Sequence, residues 1–219
     1  MPGIKRINIT NELNGRGAWR FWQAQRRWGA ANQVYRDAFD CLADGYEVMN
    51  LTNADFEAGY DRFLGIDVIL QFERGMEATL QEKFLFTTFR TVTVEYWQNW
   101  RTKEPGDWFN MRAQYYFTGY DRKHSECKVT PRLVEQEAHS RICTCCGTQF
   151  TFQDWIILNW AQVLLETERG NIKWHERRNQ NDGARASFRW APFSAFPTGC
   201  TIAKSNAIKS RQMQHALPF

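Results

Sequence analysis

The feature that most constrains the fold is a series of three predicted strands in the first half of the chain. Residues 66–72 form an apolar run, residues 78–86 follow a Glu-Arg-Gly turn, and residues 91–97 alternate valine and tyrosine with threonine and glutamate. Short, patterned runs separated by turn residues are typical of antiparallel strands. Helical periodicity precedes the series over 18–43 and returns over 154–166. This order of elements predicts an α/β (α+β) domain.

Composition limits the number of domains and the class of protein. The chain has 219 residues, of which 43% are hydrophobic, 15% aromatic and 24% charged. These values predict a single domain over 1–219 with its own core and argue against a disordered chain. The longest apolar stretch, 155–165, is interrupted by Asn159 and Gln162, and residues 1–14 lack the apolar segment of a signal peptide. We therefore expect a soluble cytoplasmic (intracellular) protein with no membrane contact.

The charges divide the chain into basic ends and an acidic middle. The net charge is +4, but residues 169–219 hold nine basic and two acidic side chains. Arg177, Arg178, Arg185 and Arg189 lie in this tail at strand spacing among aromatic residues, which predicts a basic ridge that contacts nucleic-acid phosphates. An ordinary solvated surface explains the same charge split, and both interpretations stay open.

The most informative side chains for chemistry lie on the predicted hairpin. Because side chains alternate along a strand, Gln81 and Lys83 share one face while Glu82 takes the other. Asp67, at the start of the preceding strand, can meet the face of Gln81 and Lys83. One carboxylate, one amide oxygen and the backbone carbonyl of Glu82 suit Mg²⁺, which prefers oxygen ligands. Lys83 can then orient the attacking water and stabilise charge on phosphorus, as metal-assisted phosphodiester hydrolysis requires.

The pattern Gly-Ile-Asp, a hairpin and Gln-x-Lys resembles the PD-(D/E)XK nuclease superfamily, in its Mrr-like variant with glutamine in place of the second acid. The resemblance covers 53–96. It implies a restriction-endonuclease-like fold, with a mixed central sheet flanked by helices. It also implies that Asp67 is the metal-binding acid, Gln81 the second ligand and Lys83 the catalytic lysine. The family often adds an acid from the helix before the first catalytic strand, and Glu57 and Asp61 both qualify.

A polar segment over 121–149 is predicted to be an insertion in this domain. It concentrates cysteine and histidine, which are the ligands of tetrahedral Zn²⁺. Some four of the following residues are expected to bind one structural Zn²⁺: His124, Cys127, His139, Cys143, Cys145 and Cys146. Reduced loop cysteines in a cytosolic protein are the alternative.

These observations predict a Mg²⁺-dependent (or Mn²⁺-dependent) deoxyribonuclease, a hydrolase that cleaves DNA phosphodiester bonds as an endonuclease. The expected partner is nucleic acid, DNA in the first place, and a homodimer is left open. Two alternatives keep the fold with a degenerate site: a non-catalytic nucleic-acid-binding protein and a protein-interaction module. In both alternatives Asp67, Gln81 and Lys83 are polar residues at the edge of an ordinary β-hairpin.

Overall fold

A computed structural model describes residues 27–39, 46–50, 64–72, 77–85, 89–124, 126–127, 142–179 and 185–205. The described helices are α1 (Trp28–Phe39), α2 (Asp107–Asn110) and α3 (Trp160–Glu168), with short 3-10 turns at Phe193–Ala195 and Thr198–Cys200. The described strands are β1 (Tyr46–Asn50), β2 (Val68–Phe72), β3 (Glu77–Leu85), β4 (Thr91–Asn99), β5 (Glu104–Pro105), β6 (Tyr115–Tyr120), β7 (Asp154–Asn159), β8 (His175–Arg178), β9 (Ser187–Pro192) and β10 (Thr201–Lys204). The chain is therefore mixed α+β.

The strands form two sheets. The first is six-stranded, in the order β1-β2-β3-β6-β7-β10, and the second is four-stranded, in the order β5-β4-β9-β8. In the first sheet β3 and β6 run parallel, and the other neighbours are antiparallel. The connection from β3 to β6 passes through β4, β5 and α2, so the second sheet begins inside this crossover.

Helix α1 packs on one face of the first sheet because its apolar residues recur at helical spacing. Its buried residues are Ala31, Val34, Tyr35, Ala38 and Phe39, which is the i, i+3, i+4, i+7, i+8 pattern of a single apolar stripe. They share a cluster with Leu80 of β3, Phe117 of β6 and Ile157 of β7.

The opposite face of the first sheet packs on the second sheet and on α3. Tyr116, Ile156 and Leu158 belong to this cluster, together with Val94 of β4 and Trp160 of α3. Strand alternation separates the two clusters, because neighbouring residues of β6 and β7 point to opposite faces. The face of β3 that carries Gln81 and Lys83 is therefore the face directed toward the second sheet.

The three predicted strands are found close to their expected positions, at Val68–Phe72, Glu77–Leu85 and Thr91–Asn99. The helix predicted over 154–166 is wrong in its first half, which is strand β7. Residues 154–158 are all buried in the middle of the first sheet, and periodicity does not distinguish a fully buried strand from a helix. The Asn159 side chain accepts a hydrogen bond from the Gln162 N–H at 3.2 Å and so starts α3.

The predicted insertion over 121–149 lies between β6 and β7, which are antiparallel neighbours. Within it the structure describes residues 121–124, 126–127 and 142–149. Among the described helices, none has the length and apolar character needed to cross a membrane.

Candidate metal-binding sites

The first candidate site, here called the hairpin site, consists of Asp67, Gln81 and Lys83. Strands β2 and β3 pair with Val68 opposite Leu80, so Asp67 falls beside Gln81. The Asp67 N–H donates to the Leu80 carbonyl at 2.8 Å. One carboxylate oxygen of Asp67, Oδ2, accepts hydrogen bonds from Gln81 Nε2 at 2.6 Å and from the Glu82 N–H at 2.7 Å. The strand ladder itself thus brings the acid and the amide into contact.

The other end of the Gln81 amide meets the backbone closely. Gln81 is 9% exposed, and its Oε1 has no hydrogen-bond partner among the described residues. Gly65 has φ +55°, and a Cβ there would lie 3.0 Å from Oε1 and 3.2 Å from the Met111 Cα. Glycine is required here both for the left-handed backbone and for the close approach. A buried acceptor without a hydrogen-bond partner costs free energy of folding. It therefore marks a place where a bound ligand could satisfy it.

Lys83 lies two residues further along β3, on the same face as Gln81 and opposite Thr118 of β6. Glu95 of β4 interacts electrostatically with Lys83, and Asp107 interacts with Glu95. Burial raises the pKa of Glu95, the charge of Asp107 raises it further, and the positive charge of Lys83 lowers it. Burial and the charges of Asp107 and Asp67 hold the pKa of Tyr116 well above its usual range. Asp107 and Glu95 therefore belong to the electrostatic surroundings of the hairpin site.

Asp107 is the residue that sequence reasoning missed. It begins helix α2 directly after Gly106, where a Cβ would lie 2.9 Å from Cγ of Glu95. The segment Pro105-Gly106-Asp107 signals only a turn, and no local pattern connects it with β3. Among the described residues Glu95 forms no ion pair.

Glu82 points away from the hairpin site, as the alternation requires. Its carboxylate accepts a hydrogen bond from the Tyr35 hydroxyl of α1, on the opposite face of the first sheet. Burial raises the pKa of Glu82 to about 7, against a smaller lowering by the Tyr35 hydrogen bond. Of the other nuclease candidates, Glu57 and Asp61 lie outside the described residues.

The second candidate site, here called the thiol cluster, consists of His124, Cys127, Cys143 and Cys146. Ligand atoms of His124, Cys143 and Cys146 all lie within 4.8 Å of one another, which is a group that can hold a metal ion. Cys127 joins them: burial and hydrogen bonds with the Cys143 and Cys146 thiols raise its pKa to about 12. Hydrogen bonds with Thr148, and with the other two thiols, lower the pKa of Cys146 to about 6.

A tight turn presents the thiols. Ile142 and Gln149 form an isolated bridge. Within it, the Cys143 N–H donates to the Thr148 carbonyl and the Gly147 N–H donates to the Cys143 carbonyl, both at 2.8 Å. Gly147 has φ +69° and open space where a side chain would lie, so only its backbone conformation requires glycine. Cys145 is exposed and stands outside the metal-holding group, and His139 lies outside the described residues.

Histidine 124 is buried and held from both sides of its ring. Nδ1 lies 2.9 Å from both carboxylate oxygens of Asp121, and Nε2 lies 2.9 Å from Oγ1 of Thr148. The same Asp121 carboxylate forms a 2.8 Å ion pair with Arg27, and neither side chain is exposed. The Arg27 guanidinium also donates to the His124 carbonyl at 3.5 Å.

The four arginines of the predicted basic ridge do not share one face. Arg177 pairs with Phe188 and Arg178 with Ser187, so successive residues of β8 place these two arginines on opposite sides of the second sheet. Arg189 pairs with Val94, and its guanidinium lies 3.7 Å from the Tyr96 ring centroid and 4.7 Å from that of Trp108. The prediction of a single ridge is corrected accordingly. Arg177, Arg178 and Arg185 are exposed, whereas Arg189 is half-buried.

A cleft of about 310 Å³ is lined by residues that belong to neither site: Arg90, Pro192, Phe193, Ser194 and Lys204. It has no acidic lining residue, so its chemistry does not suit a cation. The hairpin site and the thiol cluster are therefore the better candidates for metal chemistry.

Comparison with known proteins adds no relative. No family model matches the chain, and neither a curated protein nor a solved structure matches it.

Proposed function

We propose that this protein is a metal-dependent endonuclease that hydrolyses DNA phosphodiester bonds at the hairpin site. The observation that carries the proposal is the contact of Asp67 with Gln81 at 2.6 Å, with Lys83 on the same strand face. An acid, an amide and an amine so arranged match the chemistry of metal-assisted phosphate hydrolysis. The basic tail of the chain is consistent with a polyanionic substrate.

The topology supports the restriction-endonuclease-like version of this proposal. The first sheet is mixed, α1 covers one of its faces, and the hairpin of β2 and β3 carries the site at its start. One departure is that the second sheet and α3 cover the other face, where the resemblance implies helices. The nuclease assignment therefore rests on the hairpin site more than on the outer layers.

The donor set fits a divalent cation bound by oxygen. The Asp67 carboxylate supplies negative charge, and the unpartnered Oε1 of Gln81 supplies a neutral oxygen. Without an ion, the amide N–H of Gln81 takes the place beside the carboxylate, and a half-turn of the terminal amide torsion presents Oε1 there instead. Mg²⁺ or Mn²⁺ bound here would polarise the phosphate and lower the pKa of an attacking water.

Lys83 acts on the reacting phosphate in this proposal. Its ammonium group offers three donors that can hold the attacking water and neutralise charge that develops on the phosphate oxygens. Glu95 is a positioning residue for Lys83 in this proposal, because the two charges interact. Asp107 raises the pKa of Glu95 by its own charge, and Asp67 remains the metal-binding acid.

Lys83→Ala tests the proposal directly. Turnover on plasmid, single-stranded and branched DNA with Mg²⁺ or Mn²⁺ should fall by about a hundredfold or more, while DNA binding and the melting temperature stay near those of the parent. Lys173→Ala, an exposed lysine outside the site, is the matched control and should cut normally. Binding without metal-dependent cleavage by the parent would instead identify a non-catalytic nucleic-acid-binding protein. Failure to bind DNA at low salt would favour a protein-interaction module.

A further inference from the structure

We propose that His124, Cys127, Cys143 and Cys146 bind one structural Zn²⁺, with Asp121 and Arg27 as positioning residues for the histidine ligand. This inference does not depend on nuclease activity. It selects four ligands from the six candidates in the sequence. It also adds two residues, one from the end of β6 and one from the beginning of α1, that no metal motif points to.

The ligand set has the chemistry of a closed zinc site. One imidazole and three thiolates give four-coordinate tetrahedral Zn²⁺, with Zn–S near 2.3 Å and Zn–N near 2.0–2.1 Å. Ligand atoms in such a tetrahedron stand about 3.4–3.8 Å apart. The atoms of His124, Cys143 and Cys146 already lie within 4.8 Å of one another. An ion would therefore draw these three atoms together by about 1 Å at most.

The backbone supplies the ligands in two pairs of the same spacing. His124 and Cys127 are separated by two residues, as are Cys143 and Cys146. The Cys127 N–H donates to the His124 carbonyl at 3.3 Å, and the Gly147 N–H donates to the Cys143 carbonyl at 2.8 Å. Each pair thus sits on a hydrogen-bonded turn, and ligand pairs separated by two to four residues are typical of structural zinc sites.

The Thr148 hydroxyl marks the point where the ligands converge. It lies 2.9 Å from Nε2 of His124 and 3.1 Å from Sγ of Cys146. The imidazole nitrogen and the sulfur therefore point at one small region of space. Because Nδ1 is held by the Asp121 carboxylate, Nε2 would coordinate the ion, which would take the place of the Thr148 hydroxyl beside it.

Asp121 contacts the ring nitrogen of His124 that faces away from the proposed ion, and Arg27 contacts Asp121. Metal-binding histidines usually donate their second ring N–H to a carboxylate, which fixes the tautomer and the orientation of the ring. Asp121 contacts Nδ1 at 2.9 Å and Arg27 at 2.8 Å. A fully buried ion pair gives little net stability by itself, because both ions must be desolvated. The ion pair of Arg27 with Asp121 lies against the His124 ring, so we assign it the role of fixing the orientation of that ring.

Zinc content of the full chain tests the ligand set. Protein purified without chelator should contain about one equivalent of Zn²⁺ by elemental analysis. Cys146→Ser removes an exposed ligand and should lower that content at least tenfold. Cys145→Ser alters the neighbouring exposed residue of the same turn and should keep it. Less than about half an equivalent in the parent would overturn the proposal, and so would an equal loss in the Cys145 and Cys146 variants.

Two further measurements test the remaining members. Co²⁺ substituted into the full chain should give the intense visible and thiolate charge-transfer absorption of a tetrahedral site, and Cys127→Ser should weaken it. An unchanged spectrum would exclude Cys127 as a ligand. Asp121→Asn should lower Zn²⁺ affinity by about 10- to 100-fold in competition with a chelator. Unchanged affinity would overturn the positioning role of Asp121.

Discussion

The hairpin site and the thiol cluster differ in what holds their side chains together. At the hairpin site, strand pairing places Asp67 against Gln81, and hydrogen bonds from Gln81 and the Glu82 N–H already satisfy one carboxylate oxygen. In the thiol cluster, a turn closed by one isolated bridge carries Cys143 and the exposed Cys146. The strand ladder alone builds the first site. The second is held by hydrogen bonds among its thiols and Thr148, and a polar turn that buries little apolar surface would gain the more stability from a bound metal.

The largest expected difference between the two sites is the change in melting temperature when each proposed ion is removed. A strong chelator that strips Zn²⁺ from the full chain should lower the melting temperature by roughly 10 °C, because a tightly bound ion stabilises only the folded state. Withdrawing Mg²⁺ alone should change it by less than about 2 °C, since weakly held Mg²⁺ adds little stability. Thermal unfolding before and after reloading with each ion gives both values. Equal shifts for both ions would mean that the thiol cluster is no more ion-dependent than the hairpin site.

The pH dependence of stability tests whether Glu82 of the hairpin strand is enclosed between the first sheet and α1. Its pKa in the folded protein is about 7, above the ordinary 4.5, so the folded state binds the extra proton. The free energy of unfolding should therefore fall as the pH rises from about 4.5 to about 7, by up to about 3 kcal/mol, and level off above. Glu82→Gln keeps the shape of the side chain and should remove this fall.

Denaturant unfolding of the parent and of Glu82→Gln at pH 5 and pH 8 measures the effect. The variant should be the more stable of the two at pH 8. Glu77→Gln, at the exposed first position of the same strand, is the control and should follow the parent. Parallel pH profiles for the parent and Glu82→Gln would show that Tyr35 and α1 do not enclose the carboxylate.

The smallest expected effect concerns the arginines on the two faces of the second sheet, and it tests which of them the proposed DNA substrate would contact. Arg177→Ala removes an exposed guanidinium and should reduce the slope of log affinity against log salt by about one unit. Arg189→Ala should leave that slope unchanged, because its guanidinium stacks on Tyr96 and Trp108 and serves the fold. Binding titrations at several salt concentrations decide it. A reduced slope for Arg189 alone would place the DNA between the two sheets.

The parts predictable from sequence are those that local pattern determines. Alternation along β3 was enough to place Gln81 and Lys83 on one face and Glu82 on the other, and the Tyr35 contact of Glu82 agrees with it. The hairpin predicted from the Glu-Arg-Gly sequence was enough to place Asp67 beside that face, and the pairing of β2 with β3 agrees with it. These relations span 15 residues or fewer, so no long-range packing is needed to foresee them.

Long-range pairing is what the sequence did not reveal. The second sheet joins β4 to β9 across a large separation, and no local signal announces that pairing. Asp107 approaches the surroundings of Lys83 only because β5 and α2 fold back along β4. For the thiol cluster the sequence offers six candidate ligands, and only the folded chain shows that His124, Cys143 and Cys146 lie together.

Helix α1 shares its apolar cluster with Ala203 of β10, and this has a consequence during synthesis of the chain. Some 160 residues separate the end of the helix from that strand. At about 5–20 residues per second, the ribosome needs roughly 10–30 s to deliver the last partner. Throughout that interval the stripe of Ala31, Val34, Tyr35, Ala38 and Phe39 lacks its complete covering. The growing chain therefore exposes this apolar stripe before its last partner is made. Chaperones that bind short apolar segments can bind the stripe during that interval.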